Sequence, residues 1–190
     1  MSKVGHRCFV ISSASGGGKT TLVGRVLEEL DSVAKTISHT TRLARPTEVH
    51  GRDYFFVSRR AFEDDIQKGQ FIEHAQVYGN LYGTSKKTIQ SIHAQNKDAI
   101  LVIENQGALE LIKHFDHVTL ILIKPPSLEV LRERLVGRAK SSTDDIQERL
   151  NQAAKEIDEM SWYQHIIIND DIEKASQELL ELIQGIQLQS

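Results

Sequence analysis

The stretch Ser13-Ala14-Ser15-Gly16-Gly17-Gly18-Lys19-Thr20-Thr21 limits the folds open to this chain more than any other. It follows the apolar run Cys8-Phe9-Val10-Ile11 and leads into Leu22-Val23-Gly24-Arg25-Val26-Leu27, whose apolar spacing is helical. Strand, glycine-rich turn and a helix opening on Lys-Thr together form the context of a phosphate-binding loop. Glycines let backbone N–H groups turn inward around phosphate oxygens, and the helix N-terminus adds the positive end of its dipole. Lys19 has the reach for terminal phosphates, and the Thr20 hydroxyl suits Mg²⁺. In the pattern G-x-x-x-x-G-K-[ST] the first glycine is replaced by Ser13, whose Cβ narrows the dihedrals open to it. The stretch reads as a nucleoside triphosphate site.

Strands and helices alternate along most of the remaining chain. Strands are expected at Arg7–Ser12, Ala99–Ile103, Val118–Ile123 and His165–Ile168. Helices are expected at Lys19–Leu30, Gln106–His114, from a Ser127 cap through Val136, from Asp144 or Asp145 to about Met160, and from Ile172 to Ile186. Uniformly apolar strands between amphipathic helices indicate a parallel sheet covered on both faces. Residues 35–90 break the rhythm: Tyr54–Val57 and Phe71–Ala75 read as short strands, with Gly79-Asn80 as a turn, in a small inserted mixed subdomain. Gly137–Asp145 is a second polar interruption with the character of a lid.

Composition narrows the partners. A net charge of −3 offers no general basic field for a nucleic-acid backbone, so any anion must be gripped by local arginines. Cys8, the one cysteine, is expected as a core thiol, and a chain without a disulfide suits the cytoplasm. Residues 1–6 do not read as a signal peptide, and the longest apolar runs are far short of a membrane helix. At 190 residues the chain fits one domain, with no repeat and no low-complexity tract.

Several further stretches stand in an order that resembles the guanylate kinase family from about residue 5 to residue 187. They are Ser38-His39-Thr40-Thr41-Arg42-Leu43-Ala44-Arg45, Glu48-Val49-His50-Gly51-Arg52-Asp53-Tyr54, Phe71-Ile72-Glu73-His74-Ala75 and Gly79-Asn80-Leu81-Tyr82-Gly83-Thr84. Pro125-Pro126-Ser127, Gly137-Arg138 and Ile168-Asn169-Asp170-Asp171 follow. The resemblance implies an α/β fold: a P-loop NTPase core with a parallel sheet flanked by helices, an inserted mixed α+β nucleoside-monophosphate-binding subdomain and a lid. It implies a single domain over 1–190, with core 1–34 and 91–190, GMP-binding subdomain 35–90 and lid 137–146. The implied reaction moves the γ-phosphoryl of ATP to GMP with Mg²⁺, giving ADP and GDP.

Carried over by position, the resemblance assigns ATP to Ser13, Ala14, Ser15, Gly16, Gly17, Gly18, Lys19, Thr20, Thr21 and Asn169, with Thr20 on the metal. It assigns GMP to Ser38, Arg42, Arg45, Tyr54, Glu73, Tyr82 and Thr84. Arginine forks suit a doubly charged phosphate, and tyrosine hydroxyls add neutral donors. Guanine presents N1–H and the 2-amino group side by side, and the two oxygens of Glu73 can accept both. The hydroxyls of Ser38 and Thr84 suit its O6 edge. Lys19, Arg42, Arg134, Arg138, Arg149 and Glu104 are the implied catalytic set, since phosphoryl transfer rests on positioning and charge neutralisation. Arg138 is expected in a loop, whereas Arg134 and Arg149 also have ion-pairing roles open to them along glutamate-rich helices. Glu104 stands where the family usually has aspartate, and its alternative is to open the following helix. Val102 replaces a usual acidic residue and Thr47 a common glycine. Two rival functions stay open from the residues: a non-catalytic guanylate-kinase-like binding module, and a related P-loop kinase for another small phosphorylated substrate. Oligomeric state is not legible.

Overall fold

The computed structural model describes residues 6–13, 17–77, 79–115, 117–138, 147, 150–151, 154 and 162–189, Gly137 and Arg138 by their backbone alone. These residues form two compact units. The first takes residues 9–31 and the described residues after 118; the second takes 6–8 and the described residues of 32–118. Two sheets run through the chain. The five-stranded sheet has the order 33–35, 98–102, 8–12, 118–124 and 165–168, and the four-stranded sheet the order 55–56, 39–40, 80–85 and 71–77.

The first unit contains β1 (Cys8–Ser12) but for Cys8 itself, α1 (Lys19–Glu29), β8 (Val118–Lys124) but for Val118, α5 (Leu128–Arg138), β9 (His165–Ile168) and α6 (Ile172–Leu188). Every residue of β1 is buried, and so are Leu120–Ile123 in β8, as continuous apolar runs require. Strand β9 pairs parallel with β8, with Ile123 opposite Ile167. It departs from the expected two-faced burial: Ile167 is buried, while Ile166 and Ile168 are 44% and 48% exposed. Successive side chains point to opposite faces, so β9 is covered on the face of Ile167 and open on that of Ile166 and Ile168. Ser127 caps α5 by accepting from the Val130 N–H at 3.3 Å, and Asp171 caps α6 by accepting from Glu173 and Lys174. Helix α5 runs two residues past the expected end at Val136, so Arg138 is a helix-terminal residue rather than a loop residue. A single glycine costs a helix only about 1 kcal/mol, and the leucines, arginines and glutamates before it are good helix formers, so α5 continues through Gly137. The rest of the expected lid and most of the helix expected from Asp144 lie outside the described residues; Gln147, Leu150, Asn151 and Ala154 are helical.

The second unit holds β2 (Val33–Lys35), β3 (His39–Thr40), β4 (Phe55–Phe56), α2 (Arg59–Gln67), β5 (Phe71–Val77), β6 (Asn80–Ser85), α3 (Lys86–His93), β7 (Asp98–Val102) and α4 (Asn105–Leu111). Strands β2 and β7 pair parallel, with Ala34 opposite Ala99. Cys8 is fully buried in this unit, and burial, with Asp98 nearby, pushes its thiol up to about 12, as a core residue. Strands β5 and β6 form an antiparallel hairpin in which Glu73 faces Thr84 and Ala75 faces Tyr82; an irregularity in register falls between Phe71 and Glu73. On β6, Gly83 leaves no space for a side chain, since a Cβ would stand 3.0 Å from both the Glu73 carbonyl and the Phe62 ring.

Helices α2 and α3 are additions to the sequence expectation. Each opens on a serine that caps the third N–H beyond it, Ser58 for Ala61 and Ser85 for Thr88, both at 3.2 Å. Val57, just before the first cap, packs with Phe62 four positions into the helix, as a hydrophobic staple. Phe62 is fully buried and stacks on Phe71 with ring centroids 4.4 Å apart; Leu81, Val57 and Ile66 complete this small core.

Truncating that ring tests its weight. Phe62→Ala should cost about 3–5 kcal/mol and lower the thermal midpoint by roughly 6–20 °C in a chain of this size. Circular-dichroism melts check it, and a loss below about 1 kcal/mol would show that the ring does not anchor the small sheet.

Candidate active site

In the first unit the loop after β1 is held from behind. Gly18 is the N-cap of α1 and has φ 94°, a left-handed conformation that glycine adopts without strain. Its carbonyl accepts from Thr21 and Leu22 N–H groups at 3.1 and 3.2 Å, which opens the helix. Asn169, buried just after β9, donates from Nδ2 to the Gly17 carbonyl at 2.9 Å. A Cβ on Gly18 would stand 2.3 Å from that same Nδ2, so glycine is required for space as well as for conformation. The Lys19 ammonium donates to the Ser13 carbonyl at 2.9 Å, folding back along the loop. Ser13 is buried, and Asn96 is the only non-glycine with positive φ among the described residues. The replacement of the first motif glycine therefore meets no left-handed position. Thr20 and Thr21 are exposed on the first turn of α1. Ala14, Ser15 and Gly16 lie outside the described residues.

Arg134 comes from α5. Its Nη2 donates to the Asn169 carbonyl at 2.9 Å, while its Nη1 is buried with no hydrogen-bond partner. The Asn169 Oδ1 is in the same condition. Buried polar atoms without partners are costly and call for a ligand or water. Arg138 is described only by its backbone at the end of α5, and Arg149 lies outside the described residues.

The second unit gathers the other group. Glu73 is 3% exposed and is hydrogen-bonded to the Thr84 side chain and backbone. Burial is the main cause that lifts its carboxyl from 4.5 to about 7; the Thr84 bonds oppose the rise, and the Glu110 and Glu104 charges add to it. Ser38 and Thr84 hydroxyls lie 3.3 Å apart, both buried. Three hydrogen-bonding side chains thus stand together in an otherwise apolar interior.

A second cluster lies around Arg42. Its guanidinium makes a two-pronged contact with Glu48, at 3.0 and 2.9 Å. It stands 5.5 Å from the Tyr54 ring centroid and 5.8 Å from that of Phe56, within range of a cation–π interaction. Tyr54 and Tyr82 meet edge to face at 6.0 Å. Glu48, held well below its ordinary value by its bond to Arg42, also accepts from the Arg45 N–H at 2.8 Å. The Arg45 side chain reaches outward, 72% exposed, and is 4.0 Å from Glu48. Burial raises the Tyr54 hydroxyl, so this group is a neutral donor at physiological pH.

Glu104 occupies the N-cap position of α4, yet its side chain makes no capping hydrogen bond. Its charge reaches both Tyr54 and Glu73, raising each. Ser38, Arg42, Tyr54, Glu73, Tyr82, Thr84 and Glu104 thus belong to one unit, with Arg45 at its exposed margin. Val102 is half-buried at the end of β7, and Thr47 lies in an exposed loop.

Two members of this constellation had no assigned role in the sequence. Glu48 sets the Arg42 fork; its signal was a carboxylate six positions after one arginine and three after another. Gly107 sits against Glu73, and a lone glycine after a strand carries no comparable signal.

This arrangement can be set beside known proteins. Residues 5–186 match the family model described as guanylate kinase. Guanylate kinase of Thiobacillus denitrificans is 41% identical over 182 residues, covering 96% of this chain and 87% of the relative. That of Geobacter sulfurreducens is 44% identical over 175 residues, covering 92% and 86%. The crystal structure of guanylate kinase from Anaplasma phagocytophilum superposes with a TM-score of 0.79 at 34% identity, over 96% of this chain and 86% of that one. A family model spanning nearly every residue, and relatives above 40% identity over nine-tenths of the length, establish that this chain belongs to the guanylate kinase family.

Proposed function

We infer that the protein transfers the γ-phosphoryl group of ATP to GMP, giving ADP and GDP. The observation that carries this reading is the buried Glu73 carboxylate with Thr84 and Ser38 hydroxyls beside it, in a chain of this family. Guanine supplies two adjacent N–H donors, and a paired acceptor in a dry site selects them. Adenine has its one amino group at C6 and an acceptor at N1, and so leaves the carboxylate unpaired. Sites of this kind discriminate by about 10⁴–10⁵.

The remaining roles follow from charge. The GMP phosphate falls to Arg42, Arg45, Tyr54 and Tyr82, with Arg42 pre-set by Glu48 so that little side-chain entropy is lost on binding. ATP falls to the stretch Ser13–Thr21. There the Lys19 ammonium would leave its loop carbonyl for phosphate oxygens, and backbone N–H groups at the start of α1 would face them. The buried Arg134 Nη1 and the Asn169 Oδ1 are the unmet polar atoms of that unit, and nucleotide contacts would satisfy them. Arg138 and Arg149 are assigned to the transferring phosphoryl. Residues 35–90 act as the GMP-binding subdomain and 137–146 as the lid. Glu104 belongs with the acceptor site, where its carboxylate braces an arginine or orients the water around a metal.

Among the described residues no group of three or more His, Cys, Asp or Glu side chains is arranged to hold a metal ion. A donor set of one exposed hydroxyl, Thr20, suits Mg²⁺ delivered with the nucleotide and coordinated mainly by phosphate and water. When bound, Mg²⁺ supplies charge neutralisation on the phosphates. No helix among the described residues is long and apolar enough to cross a membrane, and we assign the protein to the cytoplasm.

Turnover of ATP with GMP, AMP, UMP and CMP, read as ADP formation, tests the reaction. GMP alone should support it, and absence of GDP from folded protein would refute the reading. Lys19→Ala should lower kcat by about 10²–10³ with the thermal midpoint unchanged; a near-native rate would remove Lys19 from the reaction.

The Glu73 assignment predicts a pH dependence. Between its unfolded value near 4.5 and its folded value of about 7, the folded ligand-free protein holds a proton that the unfolded chain has lost. The contribution of Glu73 to stability therefore declines as pH rises through that window. Guanine requires the ionised form, so kcat/KM for GMP should rise up to about tenfold per pH unit below 7, with kcat much flatter. Glu73→Gln should erase this component and leave only the titration of the nucleotide phosphate. It should also raise KM for GMP while KM for ATP stays within about twofold. Equal losses for both nucleotides would make Glu73 a structural residue.

A further inference from the structure

We propose that Gly107 is a positioning residue for base choice: its missing side chain opens the space in which the Glu73 carboxylate stands. The inference rests on the reading of Glu73 as the acceptor for guanine.

Gly107 is buried in the first turns of α4, and its φ is not among the positive values. Its backbone gives no reason for glycine, since alanine is the better helix former by about 1 kcal/mol. Space gives the reason. A Cβ at this position would lie 2.3 Å from the Glu73 Oε2 and 3.1 Å from its Cδ, with Ile103 next at 3.5 Å. Among the helical glycines whose surroundings are described, Gly24 and Gly185 meet nothing within 4 Å. Gly107 is thus the one described glycine whose absent side chain is replaced by a carboxylate oxygen.

The identity of the blocked atom matters. It is the far end of a flexible side chain, and no backbone atom of β5 is among the three nearest. An alanine therefore leaves α4 in place and moves Glu73, by about 1 Å to regain a 3.4 Å contact. Thr84, bonded to Glu73 through side chain and backbone, holds the carboxylate from the other strand of the hairpin. A carboxylate shifted by that amount loses its alignment with two parallel N–H donors, whose bonds span only about 2.7–3.2 Å. Such displacements cost on the order of 10² in rate. Simple close packing of a helix on a strand predicts a different result: lost stability with no change in the ranking of substrates.

The experiment compares wild type, Gly107→Ala, Glu73→Gln and the double variant. Each is assayed with GMP and with inosine monophosphate, which lacks the 2-amino group, and each is melted. For Gly107→Ala we expect KM for GMP to rise about 10- to 100-fold and the preference for GMP over inosine monophosphate to fall at least about tenfold. KM for ATP should stay within about twofold, and the thermal midpoint should be unchanged or raised. The double variant should differ little from Glu73→Gln, because the glycine acts through that carboxylate. Loss of fold in Gly107→Ala, an unchanged preference, or additive losses in the double variant would each overturn the proposal. If Glu73→Gln itself keeps the preference, the reading of Glu73 falls and this inference with it. If Glu73→Gln loses it and Gly107→Ala does not, the inference alone fails.

Discussion

Parallel pairing is the constraint from which most of this architecture follows. Strands that run the same way cannot be joined by a tight turn, so each pair needs a crossover of a dozen or more residues. In the sheet order β2-β7-β1-β8-β9, β1 leads through α1 to β2, and β8 leads through α5 to β9. The largest crossover, from β2 to β7, contains a second sheet with its own core around Phe62. The chain places its buried carboxylate and its Arg42–Glu48 pair there.

Those two features manage charge in opposite ways. The Arg42–Glu48 pair is only partly buried, keeps both members charged and fixes the guanidinium plane without any ligand. Glu73 stands almost without solvent, bonded to neutral Thr84, with the Glu110 and Glu104 charges raising its carboxyl further. Burying a carboxylate in this way raises its affinity for a proton, and a ligand with two N–H donors restores the charged form. The first cluster is organised in advance; under the proposed function the second is completed by its ligand.

How much of this could be read from the sequence depended on the physical signal. Continuous apolar runs announced β1, β7 and β8, and the glycine-rich stretch announced α1, because periodicity reports burial directly. Helices α2 and α3 gave little signal, being nine and eight residues long with one and two buried side chains. Their serine caps, Ser58 and Ser85, were the overlooked marks. Arg138 was expected outside a helix because Gly137 reads as a stop, yet α5 carries on through both. The residues proposed to meet nucleotides were legible because their order resembled a family. Glu48 and Gly107 were not, since one acts on another side chain and the other by what it lacks. The three isoleucines of β9 read as a strand covered on both faces, yet only Ile167 is buried, because apolar composition alone does not report which face has a covering layer.

The hydrogen bond from Asn169 to the Gly17 carbonyl joins positions 152 residues apart. A motif that looks local is therefore completed by the far end of the chain. A protein that kept every residue from Ser13 to Thr21 but lost the turn after β9 would retain the signature and lose the brace that shapes it. Inheritance of the loop and inheritance of its anchor are separate events. In a recombined or degenerating copy of this gene, the asparagine would be the more telling residue to inspect.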